Sequence, residues 1–262
     1  MDNTMTDALI GYTGFVGSTL RRSHLFQACF NSKNIAQIEG GSFNLVVCAG
    51  APAKKWYANQ HPDEDKAVID NLISHLSKIQ ANRFVLISTV DVFKSPVGVD
   101  ENSPIEMEGL CPYGLNRRRL ELFVQQQFEQ SLIVRLPGLV GQGLKKNILF
   151  DFLNSNQIEK IDSRGIFQFY PMHRLWMDIE KAIAEGLKEL HLTSAPVSVK
   201  DVAKAVFDTD FCNEVLLKPA VYDFRSVHAH LWGGELYQYS YEAELEAIKE
   251  WAVNEPKTIL GK

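Results

Sequence analysis

Ala8-Leu-Ile10-Gly11-Tyr-Thr-Gly14-Phe-Val-Gly17-Ser-Thr-Leu20 sets a short apolar run against three glycines spaced by three, with a helical pattern starting behind them. A buried strand that ends on glycine can turn sharply. The second glycine then lets backbone come close to a bound anion, and the third lets the new helix pack tightly on the strand. Amides left free at the start of such a helix face the anion. The stretch predicts a pyrophosphate cradle made of Gly11, Thr13, Gly14, Phe15, Val16 and Gly17, a tight turn without a ligand being the alternative.

Working outward, Phe43 to Cys48, Phe84 to Ser88 and Leu132 to Leu136 read as further buried strands, and Glu64 to Ile79 and Leu115 to Phe128 carry helical spacing. Strand and helix alternate, and strands that are apolar throughout suit a parallel sheet covered on both faces. The fold class expected is α/β, a Rossmann-type doubly wound parallel sheet with a small C-terminal substrate lobe. Residues 1–140 are expected to form the dinucleotide-binding domain. It is completed by about 166–195, with a helix from Met177 to Leu190 and a strand from Leu190 to Thr193. Residues 141–165 and 196–262 are assigned to the lobe, where Ser198 caps one helix and Tyr241 to Trp251 form another.

Composition narrows the function. The chain has 262 residues, 45% hydrophobic and 23% charged, enough to bury a sizeable core without metal or disulfides. With 27 basic against 32 acidic residues the net charge is -5, so the overall field repels a polyanion and nucleic acid is not an expected partner. Cys29, Cys48, Cys111 and Cys212 form no close pair, and no stretch is apolar for the ~18 residues of a membrane span, so a soluble cytoplasmic protein is expected. His228 and His230 lack further ligands in view and read as structural; no metal is expected.

An NAD site places an acid on the adenosine ribose ~20 residues past the first glycine. Here the stretch is Phe30-Asn31-Ser32-Lys33-Asn34, without a carboxylate. Asn31, Ser32 and Lys33 offer donors for a 2′-phosphate, so NADP is the expected cofactor and NAD a possible one. A polar turn is the alternative reading. Cys48, Ala49 and Gly50, at the end of another strand, complete the expected dinucleotide contacts.

Further along, Phe84-Val-Leu-Ile-Ser88-Thr89-Val-Asp91 ends a strand on hydroxyls, and Pro112-Tyr113-Gly-Leu-Asn-Arg117 opens a helix with Tyr113 and Arg117 on one face. These motifs, in this order after the glycine loop, resemble the extended short-chain dehydrogenase/reductases, the NAD-dependent epimerase/dehydratase group. The resemblance covers roughly residues 8–195. It implies Tyr113 as acid/base, Thr89 holding the substrate oxygen, and Arg117 anchoring the nicotinamide ribose and lowering the phenol's pKa. The family has lysine where Arg117 stands, and arginine does not relay protons. Val90 replaces one acid of the dehydratase pair, which leaves reduction or epimerisation. Asp91 is either a substrate contact or a solvent-facing strand-end residue.

Ile133-Val-Arg-Leu136-Pro137-Gly138 resembles the family's stretch beside the nicotinamide, which implies contacts from Leu136 and Pro137. Gly138 stands where many members carry asparagine. Lys145, Lys146 and Asn147 are candidates for a diphosphate, with a solvated lysine pair as the other reading, and Arg174 lies where the family builds its sugar and base pocket. The implied substrate is a nucleotide-activated sugar, transformed by hydride transfer, and a homodimer is the family's usual form. A catalytically weak dinucleotide-binding protein, acting as a sensor or docking module, is the second reading.

Overall fold

In the computed structural model, which describes residues 5–258, Ala8, Leu9 and Ile10 of the first strand are all buried. A strand covered on both faces belongs inside a sheet, and this one sits in a six-stranded sheet. With β1 (Thr6–Ile10), β2 (Ala28–Phe30), β3 (Ser42–Cys48), β4 (Gln80–Thr89), β5 (Ser131–Leu136) and β6 (Glu189–His191), the strand order is β2-β1-β3-β4-β5-β6. β1 pairs in parallel with both β2 and β3, and β3 in parallel with β4. This is a Rossmann-type α/β fold.

The chain runs outward from β1 to β2 and returns on the other side of β1 as β3. That reversal is the switch point at which such sheets open a crevice beyond their carboxyl ends. The segment 31–41 holds only a 3-10 turn, Ile35–Ile38, and among the described residues β2 is the edge strand on this side.

Side chains divide by strand alternation. Ala8, Ile10, Val46, Cys48, Phe84 and Leu86 join one cluster with Ile69, Leu72 and Leu76 of α3 (Pro62–Leu76) and Leu120 and Val124 of α4 (Pro112–Gln127). The helical triplet recurs at i, i+3 and i+7, the spacing of one apolar face. Each such side chain contributes ~1.5–3 kcal/mol when fully buried. α1 (Phe15–Ser23) packs against α5 (Leu175–Ala184), with His24 stacked on Trp176 at 4.2 Å. α5 is shorter than its sequence pattern suggests, because the chain passes through Gly186 at φ 69°. A one-and-a-half-turn helix, α2 (Lys55–Gln60), follows β3.

The chain divides into two compact units. The first comprises Met1–Lys94, Pro104–Arg135 and Leu175–Leu190 and holds the sheet. The second comprises Ser95–Ser103, Leu136–Arg174 and His191–Lys262. It is built on two-stranded pairings, Gly138–Val140 with Phe169–Pro171, Val97–Val99 with Asp223–Phe224, and Ile166–Phe167 with Val197–Ser198. Its helices include Val199–Phe207, capped by Ser198, whose hydroxyl accepts from the Asp201 amide at 3.0 Å, and Tyr241–Asn254. No helix of the described residues is long and apolar enough to cross a membrane.

Glu121 of α4 is fully buried and accepts from Arg135 Nε (3.0 Å) and Nη2 (2.9 Å), from Ser88 (2.5 Å) and from Arg118 (2.8 Å), while Arg135 also reaches Glu189 at 2.8 Å. This network joins β4, β5, β6 and α4. Glu121→Ala removes the main partner of a buried guanidinium, a change that costs about 3–5 kcal/mol. Urea unfolding should show a loss at the lower end of that range, because Glu189 keeps one contact.

Candidate active site

The turn after β1 is held by backbone. Gly11 sits at φ 85°, its amide donates to Phe30 O at 2.7 Å, and its carbonyl accepts from Gly14 N at 3.0 Å. A Cβ on Gly11 would lie 2.3 Å from Ala49 O, and one on Gly17 would lie 2.1 Å from Gly11 O. Both glycines are therefore required by close packing. Gly14 differs: a Cβ there would meet only Gly11 O, at 3.4 Å, and Gly14 and Thr13 are exposed. Gly14 is also the N-cap of α1, without a side-chain cap and with no acid in the first turn. Amides of a first helical turn lack intrahelical acceptors, so this end of α1 suits an anion.

Phe15 and Val16 are half-buried beside the turn. At the end of β3, the Ala49 amide donates to Ile10 O at 2.9 Å, and Gly50 leaves 2.9 Å between its missing Cβ and Ile10 Cγ2. Cys48 is wholly buried in the core cluster, and burial pushes its thiol up to about 11. Its side chain is thus structural, and only its backbone lies at the strand end.

After β2, Asn31 Oδ1 accepts from Lys33 N (2.9 Å) and Asn34 Oδ1 accepts from Asn31 N (2.7 Å). Both asparagines build the turn. Ser32 and Lys33 are left exposed, with no carboxylate between Phe30 and Asn34.

Thr89, Asp91, Tyr113 and Arg117 come together. Asp91 lies in the 3-10 turn Val90–Val92 that follows β4, with its amide donating to Thr89 Oγ1 at 3.2 Å. α4 starts on this turn so closely that a Cβ on Gly114 would lie 2.0 Å from Asp91 O. That approach brings the Tyr113 phenol to the Thr89 hydroxyl, which favours its ionised form. The Tyr113 amide donates to Asn59 Oδ1 at 3.1 Å.

Arg117 is buried and committed. Its guanidinium pairs with Asp65 of α3, donates to Pro52 O, and lies over the Tyr113 ring with Cζ 4.0 Å from the centroid. The phenol's pKa is raised, not lowered: desolvation is the largest influence, and the pull of Arg117 opposes it without overcoming it. Arg117 thus acts in the direction the resemblance implies, and burial outweighs it. Arg117 Nε is one of three side-chain polar atoms, with Glu244 Oε2 and Trp251 Nε1, that are buried without a hydrogen-bond partner among the described residues.

Sequence reasoning missed two members of this cluster. Lys55 of α2 pairs with Asp91, Nζ to Oδ1 2.7 Å, and Asp65 neutralises Arg117 while accepting from Asn116 at 2.8 Å. The available signal was the arginine itself, since a buried guanidinium demands a carboxylate.

The remaining predicted residues belong to the second unit. Leu136 is buried, Pro137 half-buried, and a Cβ on Gly138 would lie 2.5 Å from Gln168 O, so glycine there is required by strand pairing. Lys145 and Lys146 are exposed. Asn147, predicted as a substrate contact, caps the helix Ile148–Asn154 instead. Its Oδ1 accepts from Leu149 N (3.0 Å) and Phe150 N (3.3 Å), and its Nδ2 donates to Leu139 O (2.9 Å). Arg174 lies over the Tyr239 ring, 4.9 Å from the centroid.

No protein-family model matches the chain, and no curated protein matches it in sequence. Solved structures match its fold. A dTDP-4-dehydrorhamnose reductase from Bacillus anthracis, in complex with NADP, is 18% identical with a TM-score of 0.71 over 97% of this chain and 99% of that one. The Bordetella bronchiseptica enzyme WbmG, in complex with NAD, is 15% identical with a TM-score of 0.74 over 95% and 94%. UDP-glucose 4-epimerase from Thermotoga maritima, with UDP-glucose, is 14% identical with a TM-score of 0.71 over 94% and 98%.

Gly114→Ala places a methyl group against the Asp91 carbonyl and forces the start of α4 outward. Overpacking of this kind costs about 1–3 kcal/mol. A urea midpoint lowered accordingly is the expected measurement, and an unchanged midpoint would mean that the helix start is free to move.

Proposed function

We propose that the chain is a member of the extended short-chain dehydrogenase/reductase family, an NADP-dependent reductase or epimerase of a nucleotide-activated sugar, able to use NAD. The observation that carries this reading is the placement of the Tyr113 phenol beside Thr89 at the end of β4, in the same unit as an uncapped, glycine-built helix start beyond β1. The fold shared with reductases and epimerases of nucleotide sugars supports it.

The residues fit a dinucleotide: Gly11 and Gly17 keep the turn flat against backbone, Gly14 leaves its outer face open, and no acid opposes phosphate there. Gly11 to Gly17 would hold the pyrophosphate, Ser32 and Lys33 a 2′-phosphate, and the orphaned Arg117 Nε is a donor in search of an oxygen. The bound nicotinamide supplies or accepts a hydride. Tyr113, kept protonated by burial, gives its proton to the substrate oxygen in the reducing direction, and Thr89 holds that oxygen. The second unit is assigned to the sugar nucleotide, with Lys145, Lys146 and Arg174 as contacts and the Asn147 amide taken by its cap. A cytoplasmic homodimer joined through α3 and α4 completes the proposal.

NADPH should bind more tightly than NADH in a fluorescence titration, and equal or reversed affinities would remove the role given to Ser32 and Lys33. Gly14→Ala should leave the urea midpoint near wild type, since its methyl meets only ordinary contact, yet weaken NADPH binding severalfold. Tyr113→Phe should lower NADPH consumption in a sugar-nucleotide screen by ~100-fold or more at unchanged NADPH affinity. Wild-type rates in that variant would refute the acid/base assignment.

A further inference from the structure

The arginine one turn after Tyr113 is poorly placed to serve it as proton carrier. A guanidinium keeps its protons, and this one is held by Asp65 and the Pro52 carbonyl, flat against the ring. The hydroxyl end of the phenol meets a different set of groups. The Thr89 hydroxyl is beside it and favours its ionised form, Thr89 Oγ1 lies 3.4 Å from Asp91 Oδ2, and Asp91 Oδ1 lies 2.7 Å from Lys55 Nζ. The Asp91 side chain is 17% exposed and that of Lys55 44% exposed. Four side chains from four elements thus lead from a buried phenol to an ammonium in contact with water. The charged groups facing the phenol are Arg117 on its own helix, Asp91 on the turn after β4 and Lys55 on α2, with Asp65 of α3 behind the arginine.

We propose that Lys55, acting through Asp91 and Thr89, supplies the proton and the positive charge that Tyr113 needs. This rests on the reading of Tyr113 as the acid. When the Tyr113 O–H bond breaks and a new O–H bond forms on the substrate, the phenolate takes the Thr89 hydroxyl proton. Thr89 is reprotonated by Asp91, which has received a proton from Lys55 Nζ at Oδ1 and turned its carboxyl toward Thr89; Lys55 then regains a proton from water. The net transfer is one proton from solvent to substrate oxygen. The carboxyl is passed through and never populated. Lys55 touches neither substrate nor ring and is a positioning and relay residue.

The test is the ionisation of Tyr113 in the ligand-free full chain, followed by NMR of ring-labelled tyrosine, with Tyr113→Phe identifying the signal. Lys55→Met should raise the midpoint, Asp91→Asn should lower it by leaving the ammonium uncancelled, and Lys55→Arg should hold it near wild type. In turnover, Lys55→Arg keeps the charge and loses the relay, so its rate should fall at least tenfold; Lys55→Met should recover partly with added methylamine. Midpoints in Lys55→Met and Asp91→Asn that coincide with wild type would overturn the proposal, as would full turnover by Lys55→Arg. Failure of the wild-type chain to bind NADPH would instead remove the function proposed above, while the midpoints still decide the role of Lys55.

Discussion

Close backbone-to-backbone approaches at two places fix the site, and each depends on side chains that are not there. At the β1–α1 turn, Gly11 lies against the Ala49 carbonyl and Gly17 against the Gly11 carbonyl, so that the end of β3, the turn and the first helix share one packing contact. At α4, Gly114 lies against the Asp91 carbonyl. The first approach leaves amides of a helix start facing outward at the switch point of the sheet. The second carries a phenol to the hydroxyl at the end of β4. A methyl group at Gly11, Gly17 or Gly114 has no room that backbone movement would not have to create.

Around the phenol, charge is balanced more closely than a motif suggests. A unit charge 4 Å away is worth roughly 4 kcal/mol at an effective dielectric of 20. Both nearby cations, however, carry a carboxylate of their own: Asp65 for Arg117 and Asp91 for Lys55. What reaches Tyr113 is the field of two dipoles, and desolvation outweighs it. The phenol is thereby held as the proton-bearing form in the resting protein.

The parts of this architecture that were legible in the sequence are those governed by neighbours in the chain. The apolar runs of β1, β3, β4 and β5, the glycine spacing and the i, i+4 placement of Tyr113 and Arg117 are local properties. The parts that were not legible depend on distant partners. Arg117 reads as a free cation until Asp65 is seen across from it, 52 positions away. Lys55 carries no signal of its own until α2 brings it to Asp91, and Asn147 reads as a polar contact until its cap is seen. Strand ends shift as well: β4 begins at Gln80, ahead of its apolar run, because polar residues at a sheet margin extend the ladder without adding to the core.

The sheet's outer margin also has a bearing on how the protein behaves in a crowded solution. β2 is three residues long and ends in a turn locked by Asn31 and Asn34, so the unpaired hydrogen-bonding groups along its free side are few. A foreign chain seeking to add itself as a further rung finds almost no template there, which is how natural sheets guard against fibrillar growth. Lengthening that rim would enlarge the sheet at the expense of this protection.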